Sequence, residues 1–437
     1  MNEKSPLCEH HGRTYRDTYL DNKRKVNCRP LLGEFNSAAL WAGLTAFLWY
    51  VFGAVPLLIA VSQQLALSTA QTSSWLFITY FSGAVSTVVI SYRFRQPIPI
   101  AWTIPGLIYL GTLADRFSFA EIVGANLVSG LLMLLMGLLG VGERIMRWVP
   151  LPIIMGMFAG SILGYVTRLV AATVEDVGVA GAAVGCYLLG RFLDKPSVPP
   201  VGLAVVGGGI AVALVGTATA EPVNWTLPVL AMPEMDFSFA AIIAVSLPMV
   251  VLSMGLGNIQ GIGFLLAQGY AVPVNTVSTV VGINSVVNAL LGGHAATVAR
   301  TSVAILASPD SGPVSGRYWA AIISALLTVF LAFAATPVAS LLNVLPKTYI
   351  FAIAGLAIVS SLQDALEKAL MGKMRFGALV GFAVATTPFA VAGITSAFWA
   401  IIAGLLASLL IEPRQIFEFW ARNESNTPLQ TVTTGDS

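Results

Sequence analysis

QPIPIAWTIPG, residues 96–106, is an apolar stretch that carries three prolines in a chain made mostly of membrane-helix sequence. A second stretch, LGGHAATVAR (291–300), opens near Gly292 and Gly293 and ends on Arg300. Proline removes a helix hydrogen bond and glycine weakens a helix, so both stretches predict interrupted spans. Interrupted spans in corresponding positions of two halves are typical of a transporter's binding site.

The composition indicates a polytopic membrane protein. Of 437 residues, 56% are hydrophobic and 10% are charged, whereas a soluble domain has about 25% charged residues. The net charge of +2 predicts no nucleic-acid partner. Three cysteines are too few for a disulfide framework. No metal, phosphate-loop or paired-acid motif is found, so we expect no cofactor, no bound metal and no enzyme.

Fourteen apolar runs are candidates for crossing the roughly 30 Å hydrocarbon core. Seven runs in each half give the second half the opposite orientation, which predicts inverted repeats. The runs lie near 38–60, 72–92, 97–113, 119–140, 150–170, 177–193, 201–217, 238–260, 274–290, 292–308, 318–336, 347–362, 375–392 and 395–411.

The basic residues predict the orientation. With the N-terminus inside, 19 of the 23 Lys and Arg residues fall in cytoplasmic tails and loops, as the positive-inside rule requires. Arg116, Arg168 and Lys347 fall outside, and Arg300 falls within a span. Both termini are therefore predicted to be cytoplasmic. One solvated cytoplasmic loop is assigned to Asp364, Glu367, Lys368, Lys373 and Arg375, with Glu367 and Lys368 at a helix end.

The third run of each half, 97–113 and 292–308, is too short to span as pure helix, since 17 residues reach only about 25 Å. An extended start followed by a half-helix removes this difficulty. Thr103 is a candidate N-cap with Pro105 in the first turn, and Thr297 or a near neighbour begins the second half-helix. Inverted halves turn both N-termini toward the midplane, where an anion is the natural ligand.

The chain resembles the benzoate membrane transport family, the benzoate–proton symporters often called BenE. The resemblance covers about residues 50–411. It is carried by AQTSSWLF (70–77), YRFRQPIPIAWTIPG (92–106), GNIQGIGFLLAQGY (257–270), LGGHAATVARTSVAIL (291–306), RYWAAI (317–322) and GITSAFWAIIAGLL (393–406).

The resemblance implies an all-α fold of 14 transmembrane segments as 7+7 inverted repeats, as in nucleobase and sulfate transporters, with segments 3 and 10 broken. A core domain moves against a gate domain, and the substrate lies between the broken segments and segment 8. The implied division is a cytoplasmic tail (1–36), core halves (37–141 and 237–336), gate halves (142–217 and 337–411) and a second tail (412–437).

Eight residues are candidates for contact with a small anionic substrate. Arg300 has the geometry to bind a carboxylate through two hydrogen bonds, or it forms a structural ion pair with Asp115, Glu121 or Glu175. Trp102 offers a stacking surface. Asn258 and Gln260 either reach the substrate or join helices. The full set is Trp102, Thr103, Gly106, Asn258, Gln260, Gly293, Thr297 and Arg300.

Two residues are candidates for proton coupling. His294 is the only histidine outside the N-terminal tail, and its side chain titrates near neutral pH. The alternative is a neutral ring that is hydrogen-bonded to backbone in the broken region. Glu121 opens the fourth run and can carry a proton if burial raises its pKa, or it is an interfacial residue that balances Arg116.

The leading hypothesis is a secondary active transporter of the bacterial inner membrane. It takes up benzoate or a related aromatic carboxylate with protons by alternating access, and the resemblance implies a homodimer through the gate domain. The alternative is an anion channel, or a transporter of another small anion or a nucleobase, on the same fold.

Overall fold

The computed structural model describes residues 34–140, 150–193, 200–215, 223, 225–387, 389–391 and 394–425. Most of the predicted N-terminal tail, the end of the C-terminal tail and the boundary predicted near 141–142 lie outside these residues.

Helices make up almost all of the described chain. The first half contains α1 (Ser37–Gln64), α2 (Thr69–Phe94), α3 (Ile104–Gly111), α4 (Phe119–Leu138), α5 (Leu151–Glu175), α6 (Val179–Leu193) and α7 (Pro200–Val215). The second half contains α8 (Phe239–Leu266), α9 (Val274–Leu290), α10 (Arg300–Leu306), α11 (Tyr318–Phe333), α12 (Ala335–Val344), α13 (Lys347–Leu370), α14 (Arg375–Thr386), α15 (Ser396–Ile411) and α16 (Pro413–Ser425).

Seven of the described helices are long and apolar enough to cross a membrane, and an eighth is added if the bent pair α15 and α16 is one span. Helices α6, α7, α9 and α14 are shorter and apolar. The chain is therefore a mostly helical membrane protein, while the count of 14 segments as inverted repeats stays a prediction. Glu367 and Lys368 lie near the end of a helix as predicted, whereas Asp364 lies within the helix rather than in a loop, because α13 continues to Leu370.

Two long helices widen into π-helical turns beside a proline. The turn Tyr50–Ala54 lies just before Pro56 in α1, and Ile242–Ser246 lies just before Pro248 in α8. A proline ring clashes with the carbonyl group four residues earlier and offers no N–H. A wider turn relieves that clash, and π-helical turns are frequent at functional sites.

Both predicted breaks are present, and they pair with each other. Strand β1 (Ile100–Trp102) precedes α3, strand β2 (Ala296–Val298) precedes α10, and the two run antiparallel. Ala101 lies opposite Thr297 in this register. The extended-plus-half-helix prediction is confirmed at both positions, whereas the sequence reasoning missed the sheet that joins them. A second two-stranded sheet joins β3 (Ala390–Val391) and β4 (Ile394–Thr395).

The helices pack most extensively within two groups. In the first, α4 packs on α9 and α2 packs on α11; in the second, α5 packs on α13 and α14, and α6 packs on α7. Small residues permit close helix packing in membranes. A Cβ atom added to Gly137 of α4 would lie 2.6 Å from the backbone nitrogen of Thr279 in α9.

We expect Gly137→Ala to lower stability, because the added methyl group forces α4 away from α9. Overpacking costs about 1–3 kcal/mol. Gly185→Ala in α6 is the matched control, since its Cβ meets no atom within 4 Å. Thermal unfolding in detergent measures the difference, and equal midpoints for the two variants would contradict the tight packing at Gly137.

Candidate functional site

A cavity lies where the two strands, the starts of α3 and α10, and parts of α1, α8 and α13 meet. Its cavity volume is about 70 Å³. Its walls include Trp49, Tyr50, Trp102, Thr103, Gly257, Thr297, Arg300 and Ser361.

Four of the eight predicted site residues line this cavity, namely Trp102, Thr103, Thr297 and Arg300. The described lining does not include the other four: Gly106, Asn258, Gln260 and Gly293. Gly293 packs instead against α9, where its N–H donates to the carbonyl oxygen of Asn288 at 2.7 Å. The predicted set therefore mixes residues that line the cavity with residues that support it, and contact of any of them with a substrate stays a prediction.

Thr103 caps α3 as predicted. Its hydroxyl oxygen accepts a hydrogen bond from the N–H of Gly106 at 3.3 Å, and Pro105 lies in the first turn. A Cβ atom on Gly106 would collide with the methyl group of Thr103 and the sulfur of Met249. Gly106 therefore serves packing and capping at the start of the half-helix.

Asn258 attaches β2 to α8. Its side-chain oxygen accepts hydrogen bonds from the N–H of Val298 at 2.7 Å and from the hydroxyl of Thr297 at 3.2 Å. The Thr297 hydroxyl also lies 3.0 Å from the carbonyl oxygen of Ser253. Of the two alternatives for Asn258, these contacts support the one in which it joins structural elements.

Arg300 is the first residue of α10, so the second half-helix begins three residues after Thr297. Its Nη1 donates to Oε1 of Gln260 at 2.7 Å and to Oδ2 of Asp364 at 3.1 Å. Asp364 also accepts an ion pair from Lys368 at 2.7 Å. An ion-pair partner was anticipated, but Asp115, Glu121 and Glu175 were the wrong candidates.

One edge of the Arg300 guanidinium stays open. The side chain is 28% exposed, and within the described chain its hydrogen bonds all start from Nη1. The N–H groups of Nε and Nη2 are therefore available as donors, and Arg300 lines the cavity. A carboxylate accepts two parallel hydrogen bonds from such an edge.

His294 is fully buried behind the cavity. Its Nδ1 accepts from Nε1 of Trp75 at 2.9 Å, and its Nε2 lies 3.2 Å from the carbonyl oxygen of Thr103. A ring that accepts at Nδ1 and donates at Nε2 is neutral. These contacts support the alternative in which His294 holds the two broken segments together, while its role in proton coupling stays a prediction.

Glu121 lies in the first turn of α4 and belongs to a capping box. Its carboxylate accepts from the N–H of Ser118 at 2.9 Å, and its own N–H donates to the Ser118 hydroxyl at 3.2 Å. This reciprocal pair satisfies free donors at a helix start. The described lining of the cavity does not include Glu121, so the contacts support its interfacial alternative.

The sequence reasoning missed the aromatic wall that α1 contributes. Trp49 and Tyr50 line the cavity, and the Tyr50 ring meets Tyr80 edge to face at 6.3 Å. Tyr80 in turn meets Trp102 at 5.8 Å. The available signal was the aromatic pair Trp49 and Tyr50, which lies where the π-helical turn begins.

The chain belongs to the benzoate membrane transport family. The family profile, described as "Benzoate membrane transport protein", matches residues 33–410. The benzoate membrane transport protein of Acinetobacter baylyi is 25% identical over 391 residues, covering 88% of this chain and 98% of that protein. The inner membrane protein YdcO of Escherichia coli is 28% identical over 340 residues, covering 77% of this chain and 86% of that protein. The family's activity is membrane transport rather than catalysis.

Solved structures share the fold at low identity. The murine anion transporter Slc26a9 in its inward-facing state gives a TM-score of 0.61 at 13% identity, covering 94% of this chain and 74% of that one. The transmembrane domain of the cyanobacterial bicarbonate transporter BicA gives a TM-score of 0.51 at 17% identity, covering 84% of this chain and 97% of that one.

We expect His294→Gln to leave uptake, and any dependence of uptake on a pH gradient, unchanged. The Gln oxygen can accept from Trp75 and its amide can donate to the Thr103 carbonyl, so both contacts survive without a titrating group. Uptake into energised vesicles, with and without an imposed pH gradient, measures this.

His294→Leu is the control that loses both contacts, and we expect it to lower the thermal midpoint. Accumulation that disappears in His294→Gln while binding persists would show instead that the imidazole carries the proton.

Proposed function

We propose that the protein is a secondary active transporter that takes up benzoate or a related aromatic carboxylate together with protons by alternating access. The observation that carries this proposal is the cavity between the two broken segments, which Arg300 lines together with the aromatic side chains of Trp49, Tyr50 and Trp102. Membership of the benzoate transport family supports the same substrate class.

The carboxylate of the substrate binds at Arg300 in this proposal. Hydrogen bonds between guanidinium and carboxylate are charge-assisted, and the planar fork matches both oxygens. The dipole at the start of α3 adds a partial positive charge at the same cavity.

The ring of the substrate lies against Trp49, Tyr50 and Trp102. Aromatic rings gain about 0.5–1.5 kcal/mol from edge-to-face or offset contacts beyond the area they bury. Such a wall favours an aromatic acid over a small inorganic anion. The same cavity therefore recognises both halves of a benzoate-like molecule.

The two packing groups are, in this proposal, the core and gate domains. The core comprises 37–141 and 237–336, and the gate comprises 142–217 and 337–411. Arg300 belongs to the core and Ser361 to the gate, and both line the cavity. Movement of one group against the other would open the cavity to each side in turn. Cytoplasmic termini and a homodimer through the gate domain complete the proposal.

Proton coupling is proposed from the family resemblance and from charge balance, since a proton and a carboxylate cross together without net charge. A second candidate function is conduction or carriage of another small anion. The shared fold with transporters named for bicarbonate and for anions favours it. Electrophysiology on reconstituted protein distinguishes the two, because channel currents far exceed the turnover of a carrier.

We expect Arg300→Ala to weaken benzoate binding by about 10- to 100-fold, since a hydrogen bond to a charged group contributes about 1.5–3 kcal/mol. The benzoate affinity of Arg300→Lys should lie between those of the wild type and Arg300→Ala, because an ammonium keeps the charge but lacks the planar fork. Calorimetry on purified protein with benzoate, benzamide, uracil, sulfate and bicarbonate measures the affinities.

Arg375→Ala is the matched control, because Arg375 binds the carbonyl oxygen of Gly372 on an exposed surface. Unchanged benzoate affinity in both Arg300 variants, or binding of uracil or sulfate but no carboxylate, would overturn the proposal.

We expect Trp49→Leu to weaken benzoate binding by about two- to tenfold through lost ring contacts, with little effect on bicarbonate. Trp41→Leu in the same helix is the matched control, because Trp41 is 65% exposed and lies outside the cavity lining. Equal losses for benzoate and bicarbonate would argue against an aromatic subsite.

A further inference from the structure

The ion pair between Arg300 and Asp364 joins the two packing groups at the wall of the cavity. Arg300 begins α10, which is part of the first group through β2, and Asp364 lies near the end of α13 in the second group. The pair measures 3.1 Å, with side chains 28% and 35% exposed. Any sliding of one group past the other must break this contact.

Asp364 has a second cationic partner on its own helix. Lys368 lies one turn later and contacts the other carboxylate oxygen at 2.7 Å. The carboxylate is thus shared between two cations, and Lys368 stays beside it if α10 moves away. Because Asp364 would keep this partner after losing Arg300, separating the two packing groups costs less free energy.

Arg300 likewise keeps a partner if Asp364 leaves. Gln260 of α8 accepts from the same Nη1 at 2.7 Å, so that neutral contact would continue to orient the guanidinium. The open Nε and Nη2 edge gives an incoming carboxylate a place to bind first. A carboxylate bound at this edge repels Asp364 and competes with it for the positive charge of Arg300.

We propose that Asp364 is a built-in competitor of the substrate carboxylate. In the empty carrier Asp364 holds Arg300, and a bound carboxylate displaces Asp364 toward Lys368, which releases α10 from α13. This inference rests on the proposed function and adds the residue that links binding to domain movement. In this proposal the negative charge of the ligand is what separates α10 from α13. A neutral aromatic molecule therefore occupies the cavity without breaking the pair of Arg300 and Asp364.

The test compares benzoate with its neutral analogue benzamide. Asp364→Asn should bind benzoate about fivefold more tightly, the value expected from removing a partly exposed ion pair, and should bind benzamide as the wild type does. Asp364→Glu, which keeps the charge, should stay close to the wild-type affinity. Glu418→Gln is the matched control, since it removes the ion pair of Lys373 and Glu418 at a separate surface.

Hydrogen–deuterium exchange provides a readout that needs no affinity change. Benzoate should raise exchange in the last two turns of α13 in the wild type, whereas benzamide should not. Empty Asp364→Asn should already show the raised exchange. Weaker or unchanged benzoate binding in Asp364→Asn, or lowered exchange in α13 on benzoate binding, would overturn the competitor role.

The two proposals fail in different ways. If benzoate does not bind the wild type, the proposed function fails, and exchange in the empty Asp364→Asn variant still tests the contact between α10 and α13. If benzoate binds through Arg300 but Asp364→Asn does not tighten it, the transporter assignment stands and Asp364 is only a structural partner.

Discussion

The antiparallel pairing of β1 with β2 is the interaction on which the site depends. A membrane interior offers no water to an extended backbone, so every free N–H and C=O needs a partner within the protein. The two breaks supply partners to each other, and the ladder continues one step beyond each strand: the N–H of Thr103 donates to Ala295, and the N–H of Ala299 donates to Pro99, both at 2.9 Å. Once paired in this register, the starts of α3 and α10 must share one cavity.

The outward edges of the same strands explain why these apolar helices carry buried polar residues. Thr87 of α2 accepts from the N–H of Ile100 at 2.8 Å, Ser285 of α9 accepts from Ala296 at 2.8 Å, and Asn258 of α8 accepts from Val298 at 2.7 Å. His294 ties the two broken segments from behind. Many polar side chains near the cavity therefore support the broken backbone.

Sequence patterns predicted the breaks because their causes are local. Three prolines exclude a continuous helix in residues 97–105 whatever surrounds them, and Thr103 followed by Pro105 is a start signal that depends only on neighbouring residues. Asn258 and Gln260 were chosen as candidates because their polar side chains stand out in an apolar run, and the family resemblance implied that their segment lies beside the breaks. Their actual contacts were not predicted, because an amide is equally suited to a ligand, to a strand edge and to another side chain.

The sequence by itself determined that this is a membrane protein, where its helices break, and which family it belongs to, because composition, proline chemistry and motif identity need no knowledge of distant contacts. Only the tertiary structure decided that the two breaks form one sheet, that Trp49 and Tyr50 face it, and that Arg300 pairs with Asp364. Arg300 and Asp364 are 64 residues apart in the chain. Their contact arises because the fold brings the start of α10 beside the end of α13, and no local pattern encodes that placement.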